Sequence, residues 1–126
     1  MKMTAGHIYR VAGDGRTGSG ADGGPATAAS LDLAGSAIVD GAGNLVIGDG
    51  TRVRVVAART GRFYDQRMTA GHIYGIYAVA GGGASLGDHG PATSALLSSA
   101  SAVAVSPTVR LLVSDGADNR LRDISP

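Results

Sequence analysis

The 126-residue chain contains no cysteine, no tryptophan and no glutamate. Without cysteine there is no disulfide framework, no thiolate metal site and no thiol nucleophile. Without glutamate the favoured acid of helix surfaces is missing. All ten acidic residues are Asp, whose short side chain bonds nearby backbone amides and so favours turns. Ten of the eleven basic residues are Arg, and the net charge is only +1, so nothing drives non-specific binding to nucleic acid or to an anionic membrane surface. No apolar run is long enough to cross a membrane. The N-terminal MKMTAGHIYR also lacks the apolar stretch of a signal peptide. The expectation is a cytoplasmic protein, or a piece of a larger exported one. Aromatic residues make up 4% of the chain, whereas Gly reaches 21 residues beside small or β-branched Ala, Val, Leu and Ile. That mixture suits short strands joined by glycine turns and suits long helices poorly.

What is abundant is repetition. Met3–Tyr9 reads MTAGHIY, and Met68–Tyr74 reads the same seven residues 65 positions later. The match divides the chain into two copies of one unit, residues 1–67 and 68–126. The copies align further. HIYRVAG (7–13) matches HIYGIYAVAG (72–81) with a three-residue insertion. DGGPAT (22–27) matches DHGPAT (88–93), SAIVD (36–40) matches AVAVS (102–106), LVIGDG (45–50) matches LLVSDG (111–116), and TRVRVV (51–56) matches NRLRDI (119–124). Ala117 and Asp118 lengthen the last turn in the second copy.

Each matched piece carries a strand signature. SAIVD and LVIGD are short β-branched runs separated by Gly41-Ala42-Gly43-Asn44, a tight-hairpin composition. TRVRVV alternates polar and apolar residues, as a half-buried strand does. Each unit therefore supplies four short strands of about 5–6 residues. The best helical candidates, Ala26–Leu33 and Ala92–Ala100, amount to one or two turns after Pro25 and Pro91.

Four short antiparallel strands per repeat with glycine-rich connections match a β-propeller blade. The run HIYRVAGDG … GADGGPATAASL … SAIVDGAGNLVIGDG … TRVRVV resembles the NHL-type propeller repeat over nearly the whole chain. Copy two keeps the family's N-R-I-R element as Asn119-Arg120-Leu121-Arg122. Copy one keeps only Arg52 and Arg54 of it. The resemblance implies an all-β fold of two four-stranded antiparallel blades per chain, with strands A to D running outward from a ring centre. In that frame the chain runs D (7–13), A-B-C (36–56), D (72–80), A-B-C (102–124): it opens with an outer strand that has no blade and ends with a blade that has no outer strand. Two blades alone leave strand edges and apolar faces open. The expectation is a closed head-to-tail homo-oligomer in which each N-terminal strand completes a neighbour's last blade. Three copies make six blades, four make eight, and the trimer is favoured. A truncated propeller is the plainer reading.

Strand direction puts the D–A loops (13–35 and 81–100) and the B–C turns on one ring face, where propellers commonly bind ligands. The candidate ligand residues there are Asp22, Asp49, Arg52, Asp88, His89, Asp115, Asn119 and Arg120. The structural reading beside it is that Asp22 and Asp88 cap loop amides while Asp49 and Asp115 brace the B–C turn. His89 stands where copy one has Gly23. It reads as a lone exposed histidine, or as one third of an axial metal site built by three protomers. His7 and His72 read as packing residues. The glycine loop GDGRTGSGADGG lacks the Gly-Lys-Ser/Thr ending of a phosphate cradle, and no Gly-x-Ser-x-Gly elbow is present. In the C–D connection RTGRFYDQR, Phe63 and Tyr64 either present a protein or glycan contact or tuck under the blade edge.

The expected function is a non-catalytic binding or scaffold module with no cofactor, taking a protein, glycan or small-molecule ligand at a ring face. A metal-dependent lyase or hydrolase with its site at the ring axis, and a lectin-like glycan binder, are the competing expectations. The first is weakened by small, apolar A-strand residues such as Ala37, Ile38, Val39 and Ala102–Val105.

Overall fold

A computed structural model describes residues 2–70, 76–81, 83–106 and 110–124. Among them there is no α-helix. The chain forms β1 (Ala34–Val39), β2 (Leu45–Asp49), β3 (Arg52–Val56), β4 (Gly61–Phe63), β5 (Gln66–Met68), β6 (Ile76–Gly81), β7 (Ala100–Val105), β8 (Leu111–Asp115) and β9 (Arg120–Ile124). Three single 3-10 turns lie over Ala26–Ala28, Ala92–Ser94 and Gly116–Asp118. The first two follow Pro25 and Pro91, whose fixed φ starts a turn that neither Ala-Thr segment extends.

The strands make three antiparallel sheets, ordered β1-β2-β3-β6, β4-β5 and β7-β8-β9. The first is the meander expected for one complete repeat, and the third is the same meander without its fourth strand. Gly50-Thr51 joins β2 to β3 with Asp49 opposite Arg52, and Gly50 takes the left-handed φ of +60°. In copy two the extra Ala117 and Asp118 widen this turn, and Asn119, at φ +52°, closes it with Asp115 opposite Arg120. The expected strand over 72–80 runs from Ile76 to Gly81. The paired segment is IYAVAG. His72 lies outside the described residues.

The two larger sheets stack face to face. Val46, Val53 and Val55 of the first sheet meet Val103, Leu111 and Val113 of the second, with Met68, Leu97 and Ala100 completing one buried cluster. The stacking is close because Gly48 has no side chain: a Cβ there would sit 2.6 Å from the Ala100 carbonyl oxygen. The Ala100 N–H donates to Gly50 O, and the Val103 N–H donates to Ser36 Oγ at 3.0 Å, tying β7 to the β2-β3 turn and to β1. The opposite face of the first sheet, through Ile47 and Val56, is covered by Ala26 and Ala29 from its own loop.

One departure from expectation lies at the C–D connection. The C–D connection is itself a hairpin, β4-β5, turning on Tyr64 and Asp65 with φ of +49° and +60°. This mirror-image turn matches the strands' natural twist. Phe63 and Tyr64 pack back against the main cluster, while Arg59, Arg62 and Arg67 stay outside. A second departure is at the N-terminus. Among the described residues, 7–13 join no sheet, and His7 is exposed and stacks on Tyr9 at 6.3 Å where a packing residue was expected.

Gly48→Ala should lower stability by about 1–3 kcal/mol, because a methyl group must push two backbones apart. Gly41→Ala meets nothing within 4 Å and should stay within about 0.5 kcal/mol of the parent. Urea unfolding followed by circular dichroism compares the two.

Candidate functional site

The polar residues of each repeat converge on one arginine of strand C. In copy one Arg54 is fully buried. Its Nη1 donates to Ser30 O at 2.6 Å and to Asp49 Oδ2 at 3.4 Å; its Nη2 donates to Gly20 O and to Asp22 Oδ1, both at 2.9 Å. Asp49, also buried, accepts the N–H groups of Asp32 and Leu33 through Oδ1. One guanidinium and one carboxylate thus hold both ends of the 13–35 loop onto the sheet. The alternation of TRVRVV explains why: Arg54 points to the loop face, whereas Val53 and Val55 point to the second sheet.

Copy two repeats the arrangement residue for residue. Arg122 donates to Leu96 O, Leu86 O and Asp88 Oδ1 at 2.6–2.8 Å, and Asp115 Oδ1 accepts the N–H groups of Ser98 and Ser99. It is less complete. The Arg122 side chain is 11% exposed, its Nη1 stands 3.9 Å from Asp115 Oδ2, and that buried oxygen has no hydrogen bond. A buried polar atom without a partner is costly, and each copy carries one: Asp115 Oδ2 here and Arg54 Nε in copy one.

Of the expected ligand residues, Asp22, Asp49, Asp88 and Asp115 are therefore engaged by arginines and loop amides within the chain. Asp22 and Asp88 pair with guanidinium groups, where the sequence reading had them capping amides. Arg52 donates to Ser19 O at 2.9 Å. Asn119 lies exposed in the β8-β9 turn. His89 and Arg120 are brought together at a cavity of about 1030 Å³. Arg54 and Arg122, the centres of both networks, were not among the expected residues. Their signal was the second Arg of R-x-R recurring in both copies.

The cavity lies between the outer edge of β9, the 87–95 loop and the β4-β5 turn, with Tyr64, Asp65, Asp88 and His89 at its walls. His89 takes φ +70°, where its counterpart Gly23 takes +84°. Among the described residues no three His or Asp side chains form a metal-binding group, and no helix is long and apolar enough to cross a membrane. On the cavity's far wall Tyr64 donates its hydroxyl to Asp40 Oδ2 at 2.8 Å. Asp40 also accepts the N–H groups of Ala42 and Asn44 and the Asn44 amide, so the β1-β2 turn and the β4-β5 hairpin share one carboxylate. Burial pushes the Tyr64 phenol well above the ordinary tyrosine range, and the hydrogen bond to Asp40 and the Asp40 charge push it the same way.

Arg54→Ala should destabilise the chain by about 3–5 kcal/mol, since it strands the buried Asp49 carboxylate. Arg52→Ala, which loses one carbonyl contact, should cost about 1 kcal/mol. Urea midpoints check both. For Tyr64, a folded-state pKa above the unfolded value means its contribution is full below about pH 10 and fades as the pH rises through the folded value. Tyrosinate absorbance should show one late-ionising tyrosine that Tyr64→Phe removes. The chain matches no protein family, no curated protein and no solved structure, so the likeness to NHL repeats rests on its own duplicated motifs.

Proposed function

We propose that this chain is a non-catalytic propeller-type scaffold or binding module that works as a closed homo-oligomeric ring, three copies contributing six stacked sheets. The observation that carries the reading is the mismatch between the two sheets. The first has four strands; the second stops at β9. A near-copy of the missing strand lies unpaired at the N-terminus, where IYRVAG (8–13) agrees with β6, IYAVAG, at five of six positions. Ile8 is 99% exposed, and Leu121 on β9 is 74% exposed. An open edge of this kind is an aggregation hazard unless covered, and residues 8–13 of a second copy are the cover written into the chain.

The partly exposed Arg122 agrees with this reading, because its counterpart Arg54 is fully buried in the sheet that has its fourth strand. Stacking also favours it: Ala102, Ala104 and Leu121 lie exposed on the outer face of the second sheet, while the corresponding Val53 of the first sheet is buried against its neighbour. Ligands of the ring, whether protein, glycan or small molecule, would be taken on the face that carries the long loops and the β2-β3 and β8-β9 turns.

Native mass spectrometry tests the proposal. A single species at three times the 12.5 kDa chain mass is expected. A well-behaved monomer at micromolar concentration overturns it.

A further inference from the structure

Two nearly identical strands must be sorted between two nearly identical edges. Resting on the strand-exchange reading above, we infer that Arg10 is the residue that sorts them: it enters the cavity beside β9 of a second copy and pairs there with Asp65 and Asp88.

The register of β6 on β3 supplies the geometry. Gly81 lies opposite Arg52, Ala80 opposite Val53, Ala78 opposite Arg54, Tyr77 opposite Val55 and Ile76 opposite Val56, with a bulge after Val53. Carried to the second sheet, the same register sets Gly13 opposite Arg120, Ala12 opposite Leu121, Arg10 opposite Arg122, Tyr9 opposite Asp123 and Ile8 opposite Ile124. The single difference between the two strands, Ala78 against Arg10, thus falls opposite the arginine at the centre of each network.

The two edges treat that difference oppositely. At β3 a second guanidinium would face Arg54, which is fully buried and whose Nη1 and Nη2 already hold Asp22, Asp49 and two carbonyls. Like charges directly opposite on a sheet repel, and burial strengthens the effect. At β9 the facing Arg122 is only partly covered, a cavity of about 1030 Å³ adjoins it, and the carboxylates of Asp65 and Asp88 line that cavity. Both carboxylates are largely exposed and now face Arg62 and Arg122 respectively. An incoming guanidinium has volume to occupy and two acceptors to share, forming charge-assisted hydrogen bonds. Ala78 offers the β9 edge neither. Arg10 therefore favours the joint between copies and disfavours invasion of the chain's own first sheet.

The test is assembly of the full-length chain, followed by sedimentation velocity across protein and NaCl concentration. Arg10→Met keeps the length and removes the charge. It should weaken the oligomer by about tenfold or more and flatten its salt dependence, with the urea midpoint of the dissociated chain unchanged. Asp65→Asn, which tolerates the left-handed turn, should act in the same direction, and the double variant should be no weaker than Arg10→Met alone. Arg10→Lys should restore part of the loss. An Arg10→Met chain that assembles like the parent at every salt concentration overturns the inference. A chain lacking residues 2–12 separates this outcome from failure of the underlying reading. If the truncated chain cannot assemble while Arg10→Met can, strand exchange stands and the role of Arg10 falls. If the truncated chain assembles like the parent, both fall.

Discussion

A buried arginine held by a buried aspartate organises each half of this molecule. Taking Arg54 and Asp49 out of water is expensive, and their mutual attraction alone does not recover the cost. Backbone groups offset part of it: Ser30 and Gly20 carbonyls accept from the two Nη groups and Asp32 and Leu33 amides donate to the carboxylate, while the buried Arg54 Nε has no hydrogen bond. Those backbone groups belong to a long glycine-rich loop with little apolar content of its own. The ion pair turns that loop from a loose connection into the lid of the sheet, and Ala26 and Ala29 can then pack on Ile47 and Val56. The loop is ordered by polar contacts first and by hydrophobic ones second.

The same logic explains why the two halves differ although their sequences agree. Copy one has β6 as the fourth strand of its sheet and its arginine fully buried. Among the described residues copy two has no strand beyond β9 and a cavity beside it, and its orphaned atom is an aspartate oxygen where copy one has an arginine Nε. At the connection that corresponds to the β1-β2 turn, Ser106 Oγ accepts the Arg110 N–H in copy two, whereas Asp40 gathers Ala42, Asn44 and Tyr64 in copy one. The two halves thus differ most at the β9 edge.

Much of the fold was legible because strand periodicity and the duplicated motifs are local signals. The order of β1, β2, β3 and β6, the two-residue lengthening of the second B–C turn, and the short turns after Pro25 and Pro91 all follow from them. The β4-β5 hairpin was not legible: Phe63-Tyr64-Asp65-Gln66 carries no Asn-Gly or Asp-Gly signal, and two non-glycine residues hold the left-handed turn. The site was read less well than the fold. The aspartates stood out as repeated residues, but their partners did not, because an arginine in an alternating strand normally points to water. Only the packed loop makes position 54 an interior one.

The glycine at position 48 has a counterpart that is not a glycine. Within the chain, the absence of a Cβ lets the first sheet press against the Ala100 carbonyl. On the outer face of the second sheet that position is Ser114, which carries both a Cβ and a hydroxyl. A further sheet stacked there cannot come as near. A stack of these chains would therefore have two kinds of seam, a tight one inside every protomer and a wider, more hydrated one between protomers, and under mechanical load it would part at the second kind.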